Sequence, residues 1–345
     1  MRTTSSSSPA DSASVTASPA APHTSASAPT SAAAPAAAER GRPRVDWRIR
    51  FGALALIWGF SFLFIKVGTD GFAPLYVSLG RMVSGTAVLG VALVAKRERL
   101  PRGLRVWAHL AVAAFLLNAL PFTLFAYAEL SIPSTLAGIC NATTPLWGMV
   151  LSLVALSEDR PTRRRFAGLG LGFLGVLTVL GAWQGFSGQD PAGTVMALIA
   201  SASYAVGWIY VRRTLSSTGR SHLSTAGGQL LLGTVQLAVV APLVSPLPTS
   251  FPALSVLSVC ALGALGTGFA FLLQYGLVAE VGPTTATLTT YFTPVVAAVA
   301  GVAVLGERLS WNTPVGAVIV LAGAALTQNR NQNRNQSKKQ PARKQ

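Results

Sequence analysis

Most ionisable side chains in this 345-residue chain sit in short clusters, but a few stand alone inside apolar sequence, and chemistry is to be sought there first. Arg81 lies in the run Leu79-Gly80-Arg81-Met82-Val83, seven residues after Pro74. A guanidinium presents a planar fork of donors that grips a carboxylate or phosphate through two bonds. Arg81 therefore reads as a substrate anchor, or as a structural cation that snorkels or pairs with Glu129. Lys66 ends an apolar run and reads as a snorkelling cation. Glu158 and Glu307 each follow an apolar run and read as carboxylates that fix the loop after it.

Aromatic and amide side chains supply the rest of a binding surface. Trp58, Asn118, Tyr127, Asn141, Ser203, Tyr204, Trp208, Gln274, Tyr275, Thr289 and Tyr291 all fall within apolar runs. Aromatic rings there can stack on a solute while amides and hydroxyls orient it; helix packing or an interfacial belt is the competing use. Pro145 and Pro294 fall in the middle of such runs. A proline inside a helix removes one backbone hydrogen bond and frees a carbonyl, so both are candidates for kinks that line a cavity or let it open.

Other chemistries lack their residues. No Asp or Glu lies deep in an apolar run, and His23, His109 and His222 lie outside the runs or at an edge. A nucleophile–base pair at depth is therefore missing, and the chain reads as a non-enzyme. There is no Gly-Lys pair for a phosphate loop and no His-Glu-x-x-His, so neither nucleotide hydrolysis nor a metal or other cofactor is expected. The two cysteines, Cys140 and Cys260, lie in apolar sequence and suggest neither a disulfide scaffold nor a metal site.

The elements that must hold these residues follow from composition. Hydrophobic residues make up 51% of the chain and charged residues 11%, against about 25% charged in an ordinary soluble domain. The mean hydropathy is +0.49. A helix needs about 20 apolar residues to cross a bilayer. Runs of about that length cover 51–69, 74–95, 106–127, 132–156, 166–183, 192–211, 223–244, 253–277, 283–305 and 313–328. The sequence thus predicts an all-α integral membrane protein with ten transmembrane helices. Residues 1–45 are rich in Ser, Ala and Pro and residues 329–345 in Asn, Gln and basic groups; both compositions predict disordered tails.

Lys and Arg outnumber Asp and Glu by 27 to 11, a net charge of +16. Position excludes a nucleic-acid partner. With the N-terminus inside, all the cations except Lys66, Arg81 and Arg308 fall in cytoplasmic segments, as the positive-inside rule requires. Both termini are therefore expected in the cytoplasm and the lipid bilayer is the main partner. Coupling to protons or to an exchanged solute, and the oligomeric state, are left open.

Two stretches of the chain repeat each other. Tyr127, Pro145, Glu158, Gly168 and Gly175 recur as Tyr275, Pro294, Glu307, Gly316 and Gly323, each 148 or 149 residues later. Arg81 meets Gln229 at the same offset, and Trp58 and Lys66 meet Tyr204 and Arg212 more loosely. This divides the chain into repeats over 46–185 and 186–328. Five helices per copy is an odd number, so the second copy enters from the opposite face, an arrangement common in secondary transporters.

The runs Tyr127-Ala128-Glu129 through Pro145 to Glu158 and Gly175, and Pro294 through Val304-Leu305-Gly306-Glu307-Arg308-Leu309 to Gly323, each resemble an EamA domain. Over residues 50–328 the chain resembles a ten-helix member of the drug/metabolite transporter superfamily. That resemblance implies a cytoplasmic-membrane carrier of a small-molecule substrate, often an exporter of amino acids or related compounds. Multidrug efflux and a non-transporting receptor or scaffold are the alternatives. Small multidrug members of the superfamily carry a glutamate in their first helix, and none lies between Phe51 and Lys66 here.

Overall fold

The computed structural model describes residues 46–155, 163–181, 190–215, 221–281, 286 and 288–327, and all regular structure among them is helical. Both predicted tails and Glu158 lie outside the described residues.

Local signals set the helix ends. Helix α1 (Trp47–Thr69) starts at Asp46, whose side chain accepts a hydrogen bond from the Arg48 amide at 2.8 Å. Such a cap occupies one of the donors a helix start leaves free. Helix α2 (Pro74–Ala95) begins on Pro74, which has no amide hydrogen to leave unpaired there. Helices α3 (Leu104–Ala114) and α4 (Leu120–Ala128) are joined by a π-helical turn, Phe115–Ala119. Pro121 follows that turn, and the wider ring accommodates a residue that cannot bond back four positions.

The apolar run predicted as one span over 132–156 is broken into α5 (Ser134–Asn141) and α6 (Thr144–Ala155). Pro145 stands beside the break and cannot donate to the Asn141 carbonyl four residues back. The Thr144 hydroxyl takes that carbonyl at 2.7 Å, while Thr143 and Ser201 both donate to the Cys140 carbonyl. Pro294, its sequence counterpart, instead lies inside a continuous helix.

The chain continues through α7 (Arg163–Val179), α8 (Pro191–Thr214) and α9 (His222–Val244). Helices α10 (Ala253–Gly263) and α11 (Ala270–Val281) are again joined by a π-helical turn, Ala264–Phe269. Helices α12 (Thr289–Leu305) and α13 (Asn312–Thr327) complete the described chain. Gly306 ends α12 with φ of 67°, a left-handed conformation that glycine adopts without steric cost.

Among the described residues, six helical stretches are long and apolar enough to cross a bilayer: Trp47–Thr69, Pro74–Ala95, Leu104–Ala128, Pro191–Thr214, His222–Val244 and Ala253–Val278. Phe166–Val179, Thr289–Leu305 and Asn312–Leu326 are shorter apolar helices. Large apolar side chains such as Val91, Leu243, Leu257, Val299 and Val318 stand exposed on several helices. A surface so rich in exposed aliphatic groups suits hydrocarbon rather than water.

The packing between helices pairs residues that the sequence repeat also pairs. Thr86 of α2 and Thr234 of α9, 148 residues apart, share a hydrogen bond of 2.8 Å between their hydroxyls. Helices α7 and α13 approach through glycine. A Cβ on Gly323 would stand 2.4 Å from the Gly172 amide nitrogen and 2.7 Å from the Gly168 carbonyl oxygen. A Cβ on Gly175 would stand 2.5 Å from the Val320 nitrogen and 3.0 Å from the Gly316 oxygen. Only hydrogen fits between backbones so close.

Candidate functional site

Polar groups meet where the π turns pass α2 and α9. On α2, Arg81 is buried, and its Nε donates to the Thr267 hydroxyl in the second π turn at 2.9 Å. Its guanidinium carbon lies 3.6 Å from the centroid of the Phe122 ring, a cation–π contact made away from water. On α9, the buried Gln229 donates from Nε2 to Asn118 Oδ1 in the first π turn at 2.6 Å.

The two bonds are built alike. Gln229 stands 148 residues after Arg81, and Thr267 stands 149 after Asn118. Each joins a helix of one stretch to the π turn of the other. A π turn leaves carbonyls without their usual donors and often marks a functional position. The Ser203 hydroxyl takes one such carbonyl, that of Leu116, at 2.7 Å. The Nδ2 group of Asn118 is buried with no partner, a donor that a ligand or water would satisfy.

Around this centre the structure gathers some of the residues singled out from sequence. Tyr127, Tyr204 and Tyr275 pack against one cluster of buried residues that includes Met82, Phe122 and Leu230. Tyr204 stacks on Phe125 at 6.3 Å and lies within electrostatic reach of Arg81. Tyr275 stacks on His222 at 5.4 Å.

Others stand apart. Trp58 packs against Leu54, Ala270 and Leu277 in a separate cluster. The Tyr291 hydroxyl donates to the Ala324 carbonyl on α13, and Thr289 to the Ala286 carbonyl. Trp208 is 52% exposed among the outward aliphatic groups of α8. Asn141 and Gln274 are half-buried, on α5 and α11 respectively.

At the end of the bundle where α1 finishes, a second polar group is folded in. Lys66 Nζ donates to the Glu129 carbonyl rather than reaching outward. The Glu129 side chain is fully buried and accepts from the Ser134 hydroxyl at 2.8 Å. Glu307 accepts from the amides of Ser134 and Thr135, at 2.7 and 3.1 Å, and from the Thr135 hydroxyl at 2.6 Å. Its carboxylate therefore caps the first turn of α5 from another part of the chain, where the helix dipole favours negative charge. Nearby, half-buried Asp190 accepts from the Ser131 hydroxyl and the Gly193 amide, which hold its carboxyl below the usual range. Where α1 begins, Arg50 pairs with Glu280 in a more exposed position.

Sequence reasoning passed over Thr267 and Gln229 as site residues. The repeat offset held the signal, because it leads from Asn118 to one and from Arg81 to the other.

The sequence profile of the EamA-like transporter family matches residues 51–181 and again 191–328. The chain belongs to this family. Among relatives of this EamA-like chain is the "Uncharacterized inner membrane transporter YedA" of Escherichia coli strain K12. It is 29% identical over 260 residues, which cover 75% of this chain and 82% of the relative. An "Uncharacterized transporter" of Archaeoglobus fulgidus is 27% identical, with 79% and 93% covered. A "Probable terminal-alkyne amino-acid exporter" of Streptantibioticus cattleyicolor is 26% identical, with 79% and 90% covered. One crystal structure aligns with a TM-score of 0.59 at 21% identity, covering 84% of this chain and 98% of that one, a likeness of fold. The chain is thus a transporter-family membrane protein with several bilayer-spanning helices.

Proposed function

We propose that the protein is a secondary carrier that moves a small metabolite bearing a carboxylate across the cytoplasmic membrane, in the direction of export. In this reading ten helices cross the bilayer as two oppositely threaded repeats, 46–185 and 186–328, with the tails 1–45 and 329–345 in the cytoplasm. The observation that carries it is the matched pair of bonds, Arg81 to Thr267 and Gln229 to Asn118, reaching between the two stretches at equivalent positions. Contacts that pair residue i with j, and i+148 with j−148, are those a two-fold relation produces. The glycine contacts Gly168–Gly323 and Gly175–Gly316 have this form, and Thr86–Thr234 is the case where the partners coincide with the repeat.

Two such halves can exchange conformations about a shared site and open it to either side in turn. Arg81 is the one charged member of the central group, and charge at membrane depth costs about 2.5–3.5 kcal/mol on insertion scales. A solute carboxylate can replace the Thr267 hydroxyl on the guanidinium, with Asn118 Nδ2 as a further donor and Tyr204 and Tyr127 as walls. The exporter relative that acts on an amino acid supports an amino-acid-like solute.

The purified chain in liposomes tests this. Exchange of a labelled amino-acid mixture should saturate with concentration and collapse in Arg81→Gln, while an Arg81→Gln protein that remains folded and exchanges normally would remove Arg81 from the site. Threading is tested separately, by cysteines placed at positions 70, 98 and 248 in a Cys260→Ser background. Positions 70 and 248 should be labelled from outside and position 98 from within.

A further inference from the structure

We propose that Glu129 is the proton-carrying carboxyl of the transport cycle, neutral while the Lys66 end of the bundle is closed and ionised when that end opens. This rests on the carrier reading above and makes the opening of that end sensitive to protons. The sequence places Glu129 just beyond the last turn of an apolar helix, where a carboxylate would ordinarily face water. The structure buries it completely, because α1, α5 and the N-terminal turn of α8 close over the connection between α4 and α5.

Its two oxygens have different fates. Oε2 accepts from the Ser134 hydroxyl at 2.8 Å, while Oε1 is buried without any hydrogen-bond partner. An ionised carboxylate with one bare oxygen, sealed from water, is among the costliest groups a protein can hold. A proton on Oε1 removes the charge and leaves only one unmade hydrogen bond.

The charged groups facing it do not supply the missing partner. Lys66 of α1 spends its ammonium on the backbone carbonyl of Glu129 itself. Arg81 of α2 is bonded to Thr267 and stacked on Phe122. Glu307, beyond α12, is a second carboxylate and repels a charge on the first, while its own oxygens are filled by the start of α5. Asp190 at the start of α8 is held by Ser131 and Gly193 and adds further negative charge from the rim. Tyr204 of α8 faces Arg81.

Opening the Lys66 end gives Oε1 water to bond with, and the proton leaves to that side; closing it takes a proton back from the same water. The balance is one proton released to that water and one taken back per cycle, with no other bond made or broken and no net proton moved across the membrane. Arg81 and Glu129 are within electrostatic reach, so an anion that neutralises Arg81 favours the protonated carboxyl, and by reciprocity the proton favours the anion.

Infrared spectroscopy of the full chain in detergent at neutral pH reads the carboxyl directly. A protonated-carboxyl band should be present in the wild type, absent in Glu129→Gln, shifted in Ser134→Ala and unchanged in Glu307→Gln. Absence of the band, or its survival in Glu129→Gln, overturns the proposal. If Glu129→Gln does not fold, Glu129→Asp and Ser134→Ala carry the test, since either must move the band. In liposomes loaded with the labelled amino-acid mixture, Glu129→Gln should flatten the pH profile of flux, and an unchanged profile also overturns it. A wild-type band without any solute exchange would sink the carrier reading alone; exchange without the band would sink the proton site alone.

Discussion

Arg81 on α2 and Gln229 on α9 occupy matching places in the two stretches, and each donates to a π turn across the centre. Their surroundings match as well: Phe122, whose ring lies under the Arg81 guanidinium, has Phe271 at an offset of 149. What differs is charge. The first stretch brings a cation and an amide acceptor, the second an amide donor and a hydroxyl. The two stretches thus hold polar contacts at matching positions while the chemistry of the partners differs. The glycine faces of α7 and α13 did not diverge, because their duty is steric: any side chain there meets backbone, whichever half it comes from.

The largest effect is therefore expected where the halves are still interchangeable. Gly175→Ala and Gly323→Ala each place a Cβ within 2.5 Å of a backbone nitrogen. Overpacking typically costs about 1–3 kcal/mol, and contact with backbone lies at or above the upper end. Both variants should lower the thermal midpoint of the detergent-solubilised protein strongly and by similar amounts. A large effect for one and none for the other would break the equivalence of the halves.

Next comes the site, where they are expected to differ. A hydrogen bond from a charged donor contributes about 1.5–3 kcal/mol, so Arg81→Gln should reduce exchange by roughly 10- to 100-fold. Gln229→Leu leaves two Asn118 groups buried and unpaired and should cost about 1–3 kcal/mol of stability, with a smaller loss of exchange. The double change Arg81→Gln with Gln229→Arg moves the guanidinium to the other stretch, where Phe271 and Asn118 can receive it. Recovery of exchange well above Arg81→Gln alone is expected. Failure to recover would show that more than one residue of the first stretch is specialised.

Much of this was legible without coordinates. Helix starts came close at Pro74 and Pro191, where a proline in the first turn is a local signal, whereas α1 begins at Trp47, four residues before the predicted run, because the polar, basic turn after the Asp46 cap is not apolar. The repeat was legible because glycines and prolines at a fixed spacing survive divergence of everything else. The break before α6 was not foreseen, because Pro145 was expected to kink a continuous helix. Whether a proline bends or breaks depends on which hydroxyl is at hand to take the freed carbonyl. The burial of Glu129 was equally hidden, since it depends on three other elements covering a helix end. Trp208 shows the converse: an aromatic residue in an apolar run says nothing about which face it occupies.

Glu307 sharpens the contrast between the two ends of the bundle. Its carboxylate holds the start of α5 through two amides and a hydroxyl, where the Arg50–Glu280 pair at the other end joins two partly exposed side chains. Glu307→Gln keeps the shape and removes the charge, a loss of about 0.3–1 kcal/mol for a helix dipole contact, rising towards 2 when partly buried. Arg50→Gln, breaking a surface-type pair, should cost no more than about 1 kcal/mol. Thermal midpoints of the two variants rank the ends, and a larger fall for Arg50→Gln would reverse the order.

The smallest effect should come from pH at Asp190. Its residue is half-buried at the start of α8, and the Ser131 hydroxyl and the Gly193 amide favour the ionised form and hold it below the usual aspartate range. A group whose affinity for protons is lower in the folded chain adds stability above its ordinary titration range, and loses it as the pH falls through the depressed value. Near neutrality the wild type should therefore be slightly more stable than Asp190→Asn, and the gap should close under acid. Glu129, if it carries a proton as proposed, is neutral in the closed chain and ionised when unfolded, so it acts in the opposite sense, adding stability under acid and losing it as the pH rises. Measuring midpoints against pH for Asp190→Asn, Glu129→Gln and the double variant separates the two slopes; slopes of the same sign would refute one of the assignments.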